Sequence, residues 1–260
     1  MAIRGAFMIN PIFVLGLLLF FSQSLRAEAL PVYTEEFPPY NYTEAGQPYG
    51  ISTEIVVEVL RRADIDYQIE SLPWARAMHY ASSDKPCLIY SISRLAERED
   101  KFRWIGKMTP VRHAAYALTQ RSDININGLE DMRGFMLGTV RNGARETYLI
   151  EKGFYLGNMA RTSGKDAMLR NYSMLKEGRI DLWLAPDAVA HFIVSGTGEK
   201  PAKVLREVHQ LSEMSGHYYL AASPGTSDEI VAKIKAALTE FRESPEYLLI
   251  LQRWGVNPGE

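Results

Sequence analysis

Two hydroxyls and two guanidinium groups fall within one short stretch, Tyr90-Ser91-Ile92-Ser93-Arg94-Leu95-Ala96-Glu97-Arg98, directly after an apolar run. An arginine fork meets a carboxylate through two parallel hydrogen bonds, a stronger contact than one between neutral groups, so Ser91 and Ser93 with Arg94 or Arg98 form a candidate acid-binding set. The same stretch also reads as a surface salt-bridge cluster with Glu97, Glu99 and Asp100. A second candidate is Val140-Arg141-Asn142-Gly143-Ala144-Arg145. There a strand gives way to a helix start, whose free N–H groups and dipole attract an anion, and this selects Gly143, Ala144 and Arg145. Taken alone it is also an ordinary strand-to-helix turn. Phe37-Pro38-Pro39-Tyr40 and Pro73-Trp74 place large rings just beyond strands. Phe37, Tyr40 and Trp74 can each offer a face to an apolar group or a cation, or simply fill core.

Other chemistries lack their residues. His79, His113, His191, His209 and His217 show no metal-ligand spacing, and one cysteine cannot complete a zinc cluster, so no metal is expected. Gly164-Lys165 resembles the end of a phosphate loop, but Met159 stands where the first glycine is required and Asp166 where Ser or Thr should follow. Neither a GxSxG elbow nor a GxGxxG fingerprint is present, so no hydrolase motif or dinucleotide cofactor is indicated, and no cofactor is expected. Cys87, in the run Cys87-Leu88-Ile89-Tyr90, reads as a buried strand thiol with no charged neighbour to lower its pKa.

Strand-like and helix-like runs alternate, the signature of an α/β fold with largely parallel sheets. After Gly50, the positions of Ile51, Ile55, Val56, Val59, Leu60 and Ala63 predict a helix, with Ser52 or Thr53 able to cap it. A strand over 67–70, a helix over 74–81 and a strand over 87–90 follow. The second set begins with a short helix over 129–132 and a strand over 135–139. Helices over 144–152, 166–177 and 187–194 then alternate with strands over 159–162 and 181–185. Gly178 suits a left-handed helix end. A strand over 218–222 precedes a helix in which Thr226 and Glu229 have capping-box spacing, and Pro245 opens a last short helix. Residues 195–201 read as a surface loop.

Arg4, the apolar run from Ala6 to Phe21 and small residues at Ala27 and Ala29 form a signal-peptide layout over 1–29, which predicts a soluble periplasmic product after cleavage; the run, near the minimum spanning length of about 17 residues, also reads as an uncleaved membrane anchor. Cys87 lies far from this leader, so a lipid-attachment cysteine is absent. The remainder is long enough for two modest lobes, each with its own core. Formal net charge is -2, from 29 basic and 31 acidic residues, and losing Arg4 and Arg26 makes it more negative. A phosphate backbone would be repelled, so nucleic acid is a poor partner.

Taken in order, Phe37-Pro38-Pro39-Tyr40, Gly50-Ile51, the stretch from Ser91 to Phe102, Gly178-Arg179-Ile180-Asp181 and Arg253-Trp254-Gly255 resemble the family 3 extracellular solute-binding proteins, the polar amino-acid receptors of bacterial ABC importers. The resemblance covers essentially the whole mature chain. It implies a two-lobed periplasmic-binding-protein fold, each lobe a mostly parallel sheet flanked by helices. Lobe one would span 30–118 and 219–260 and lobe two 119–218, with two hinge strands near 116–120 and 217–221 and a small solute held between the lobes. The family's carboxylate-binding arginine maps onto Arg98, its serine-bearing strand end onto Ser91 and Ser93, its stacking aromatics onto Phe37 and Trp74, and its anion-facing helix start onto Gly143 to Arg145.

Two departures accompany the match. Leu95 stands where the family commonly has a ligand-binding threonine, and Pro186 where it has the acid that pairs with the ligand's amino group, with Asp187 one position later. A ligand with a carboxylate and no α-amino group therefore stays open. What the resemblance implies is a monomeric, non-enzymatic periplasmic receptor that presents its solute to an ABC permease or a membrane sensor. The alternatives are a cyclohexadienyl-dehydratase-like lyase on the same scaffold and a stand-alone sensory protein.

Overall fold

The computed structural model describes residues 29–256, so the leader expected over 1–29 lies outside the described residues but for Ala29. The chain opens with β1 (Leu30–Thr34), the hairpin strands β2 (Tyr42–Glu44) and β3 (Gln47–Tyr49), α1 (Ile51–Arg62), β4 (Tyr67–Ser71), α2 (Trp74–Ala81), β5 (Leu88–Ile92) and β6 (Arg103–Val111). Next come β7 (His113–Leu118), β8 (Leu137–Val140), α3 (Ala144–Glu151), β9 (Met159–Thr162), α4 (Ala167–Lys176), β10 (Leu182–Pro186), α5 (Asp187–Gly196), α6 (Pro201–Val204) and β11 (Leu205–Gln210). β12 (Gly216–Ala222), α7 (Asp228–Arg242) and α8 (Pro245–Arg253) complete it.

Two five-stranded sheets result, ordered β4-β1-β5-β12-β6 and β11-β7-β10-β8-β9. β1 runs parallel to β4 and β5, and β8 runs parallel to β9 and β10. β12 and β7 lie antiparallel to their neighbours. β5 and β10 are buried along their whole length, as strands covered by helices on both faces require. This is the α/β architecture that the alternation predicts.

The chain changes sheet at Arg112, between β6 and β7, and returns before Gly216. The expected boundary between 118 and 119 therefore assigned β7 to the wrong sheet. Residues 103–118 form two extended segments with no glycine or turn cluster at the switch, so nothing local marks it. The strands β2, β3, β6 and β11 also go beyond the alternating elements read from sequence.

Ile51, Ile55, Val56, Val59 and Leu60 of α1 are all wholly buried, each worth about 1.5–3 kcal/mol of transfer free energy. Gly50, not Ser52 or Thr53, stands at the N-cap. The first N–H groups of α1 instead reach the preceding loop: Ile51 donates to Pro39 O at 3.0 Å and Ser52 to Tyr40 O at 2.8 Å. The Ser52 and Thr53 hydroxyls bond Thr109 Oγ1 and Tyr90 OH. The aromatic loop is thereby clamped to a helix end. At α7 the cap is Ser227, which accepts from Ile230 N at 3.3 Å, while the Thr226 hydroxyl donates to Cys87 O. Gly178 does take the left-handed conformation, at φ 69°. The surface loop expected over 195–201 is present but shorter: 197–200 connect the end of α5 at Gly196 to the start of α6 at Pro201.

A single buried apolar cluster runs from the first sheet through Phe37, Tyr40 and Tyr218 to Val140 of the second sheet and to Ala167 and Met168 of α4. Tyr42 on the hairpin also meets Phe192 of α5, with ring centroids 5.7 Å apart. The two lobes are thus in contact, with a narrow cleft between them.

Candidate functional site

The wall contributed by the first lobe is built at the carboxyl ends of β1 and β5, the edge where open α/β sheets hold ligands. At the end of β5 the pairing with β12 skips a residue: Tyr219 faces Ile92 and Leu220 faces Tyr90, which leaves Ser91 unpaired as a bulge. Ser91 has φ 59°, a conformation costly for a residue with a Cβ, and its Oγ is buried with no partner. The chain then turns into a single 3-10 segment that carries Arg98, which is only 2% exposed. Arg98 Nη1 donates to Ser93 O at 3.3 Å, and its carbon lies 5.8 Å from the Trp74 ring centroid. Its Nε is 3.4 Å from Glu97 Oε1 but makes no hydrogen bond. Burial pushes the Arg98 pKa down, against the opposing pull of Glu97.

The opposing wall is the start of α3. Gly143 is its N-cap, with no side chain capping the first turn, and Arg145 follows, buried to 6% exposure. Arg145 Nη1 lies 3.4 Å from His113 Nδ1 and Nη2 lies 3.8 Å from Met168 Sδ, while Nε has no partner. The guanidinium sits 5.8 Å from the centroid of Phe37, a ring of the other lobe. Burial, and then the charge of Arg145, hold His113 well below the ordinary histidine range, so the neutral ring can accept at Nδ1.

Between the walls lies an inner cavity of about 30 Å³, lined by Phe37, Trp74, Ser91, Ser93, Arg98, Gly143, Ala144, Arg145 and Tyr218 among others. It shares Glu35, Glu36, Trp74, Val140 and Gly164 with the lining of an outer cavity of about 560 Å³. Trp74 Nε1, Ser91 Oγ, Arg98 Nε, Arg145 Nε and Tyr218 OH are all buried, all without a partner among the described residues, and all belong to side chains lining the inner cavity. Each of these groups can donate. Buried donors are seldom left unmatched in folded proteins, so five converging on one space suit an acceptor-rich, anionic guest.

Glu35 and Glu36, at the end of β1, line both cavities. Burial pushes the Glu35 carboxyl up to about 7, against the pull of the Arg145 and Arg98 guanidiniums. Glu36 goes the other way: burial alone would raise it, but hydrogen bonds from Ser71 and from the N–H and hydroxyl of Thr43 hold it below the ordinary carboxylate range.

Of the residues singled out from sequence, Phe37, Trp74, Ser91, Ser93, Arg98, Gly143, Ala144 and Arg145 come together around the inner cavity. Tyr40 does not. It is 2% exposed and packs behind the site, stacked on Phe37 at 5.6 Å and edge-on to Tyr218 at 4.9 Å. Asp187 lines neither cavity. Its carboxylate accepts from Tyr116 OH at 2.5 Å and pairs with Arg112, so it ties α5 to the point where the chain changes sheet. Glu35, Tyr218 and Met168 were not anticipated. Glu35 was legible, because it follows a strand-like run directly, whereas Tyr218 and Met168 reach the cleft only through the pairing of β12 and the packing of α4. Among the described residues, no group of three or more His, Cys, Asp or Glu side chains is placed to hold a metal. Burial raises the pKa of Cys87, as its strand setting implies.

Comparison with solved structures returns the same two-lobed fold. A histidine kinase sensor domain similar to periplasmic binding proteins superposes with a TM-score of 0.77 at 21% identity, covering 87% of this chain and 96% of that one. The arginine-, lysine-, histidine-binding protein ArtJ of Geobacillus stearothermophilus gives 0.74 at 20% identity, over 89% and 97%. A protein from a study of glutathione import by GshT and the cystine importer TcyBC of Streptococcus mutans gives 0.74 at 16%, over 88% and 95%. No curated protein matches the chain. The profile of the bacterial extracellular solute-binding proteins, family 3, matches residues 31–257. The chain therefore belongs to the bacterial extracellular solute-binding proteins of family 3.

Proposed function

We propose that this protein captures a small carboxylate-bearing solute, an amino acid or close relative, by hinged closure of its lobes in the periplasm, and presents the closed form to an ABC permease or a membrane sensor. The observation that carries this reading is the set of five partnerless buried donors around one small cavity, with a guanidinium from each lobe. A carboxylate bridging Arg98 and Arg145 interacts with both lobes only when they are closed, and that differential affinity is what drives closure. Burying two guanidiniums is tolerable only where their charge is matched.

A thermal-shift screen of the purified mature chain against amino acids, polyamines and small organic acids tests it. Binding to the folded state alone raises Tm with ligand concentration. The expected result is a stabilising carboxylate whose effect vanishes in Arg98→Ala while that variant stays folded; unchanged affinity would remove Arg98 from the site.

A second reading, a cleft lyase of the cyclohexadienyl-dehydratase type, needs a carboxyl acid in the cleft. Glu54 is held by Trp254 and Arg253 and Asp187 by Tyr116 and Arg112, but Glu35, raised to about 7, is in place. Turnover of prephenate or arogenate would establish that reading, and its absence leaves the receptor.

A further inference from the structure

We infer that Glu35 reads a cationic group on the bound solute, so that the cleft takes an amine-bearing carboxylate whose body extends into the outer cavity. This deepens the carboxylate-binding reading and rests on it. Glu35 stands at the junction of the two cavities, lining both. Of the two acids there, Glu36 is taken up by Thr43 and Ser71, whereas the Glu35 carboxylate has no hydrogen bond or ion pair among the described residues. Asp187, at the position nearest to the family's amine-binding acid, is bound to Tyr116 and Arg112 away from the cleft. The acid needed for an ammonium group is therefore supplied by the other lobe.

Dimensions agree with this division. About 30 Å³ admits a carboxylate and little more, while about 560 Å³ lies within the usual range of ligand pockets and is walled on one side by Trp74. Charge agrees as well. A solute carboxylate on Arg98 and Arg145 lies close to Glu35 and repels it, and an ammonium on the solute lying between the two carboxylates relieves that repulsion. The charged groups acting on Glu35 are Arg145, Arg98 and Glu36. A solute with an amine holds Glu35 ionised; one without an amine forces it to take up a proton.

The test uses matched pairs on the mature chain: arginine with 5-guanidinopentanoate, glutamine with glutaramate, and phenylalanine with 3-phenylpropionate. Each is titrated calorimetrically into the unaltered protein and into Glu35→Gln. The amino member of the bound pair should be preferred by about ten- to hundredfold, as a charged hydrogen bond implies, and Glu35→Gln should reduce that preference to near unity. If Glu35→Gln fails to fold, proton linkage in the unaltered protein decides. Near pH 7, repeated in buffers of different ionisation enthalpy, the amino member should release protons and its des-amino partner take them up. Equal affinity for the two members, or proton exchange of one sign for both, overturns the role of Glu35 and leaves the carboxylate reading standing. Failure of every pair to bind either protein overturns both.

Discussion

Arg145 Nη1 lies 3.4 Å from Nδ1 of His113, the first residue of β7, so the imidazole that supports the second lobe's guanidinium sits where the chain crosses between sheets. The same ring stands edge-on to Tyr218, at 5.9 Å, on the returning strand β12. One buried histidine of β7 thus lies against both Tyr218 of β12 and Arg145. Arg145 is thereby set against a neutral ring, a contact that leaves the guanidinium charge unmatched.

Replacing His113 with Ala removes that acceptor without touching Arg98. Carboxylate affinity should fall about tenfold, the value of one charged hydrogen bond, and not vanish as in Arg98→Ala. His113→Asn, which can still accept, should recover part of the loss. Calorimetry on the three variants checks the order.

Glu35→Gln should change stability in a pH-dependent way. Between the ordinary value of 4.5 and about 7 the folded chain retains a proton at Glu35 that the unfolded chain has released, so the carboxyl lowers stability as pH rises through that window. The variant should match the parent near pH 4 and exceed it above pH 7 by on the order of 3 kcal/mol, several degrees in Tm. His113 and His217, both depressed by burial, act in the opposite direction: their unfolded forms bind protons first as pH falls below 6.5, and stability is lost there. They are common to both proteins, so the difference between the two isolates Glu35.

Asp187→Asn is expected to cost about 1–2 kcal/mol, because Arg112 and Tyr116 both lose a charged partner. Carboxylate affinity should change by less than about threefold at the closed cleft. Denaturant unfolding with a parallel titration separates this from a ligand-contacting role, which would move affinity first.

Gly50→Ala should be among the most damaging exchanges outside the cleft. Gly50 has φ 113°, and a Cβ there would lie 2.6 Å from both Pro39 O and Tyr40 O, the acceptors that receive the first N–H groups of α1. A loss of about 2–4 kcal/mol follows from strain and displaced hydrogen bonds. Because the displaced loop carries Phe37, binding should weaken as well, and thermal denaturation with and without an amino acid reads both.

Residue periodicity by itself determined the alternation of strands and helices, the buried face of α1 and the glycine end of α4, because each depends on contacts repeated along a few turns of chain. The residue pattern alone left Arg98 open between an acid-binding role and a surface salt-bridge cluster, and Gly143 to Arg145 between an anion site and an ordinary turn; burial of both arginines beside one cavity is a tertiary fact. Tertiary structure alone decided the rest. The switch of sheet falls at Arg112 rather than near 118 because pairing partners far along the chain, not local turn residues, choose the sheet a strand joins. Asp187 went to Arg112 and Tyr116, and the cleft received Glu35, Tyr218 and Met168 instead, because the neighbours of a side chain in space are set by how β12, α4 and the two lobes pack.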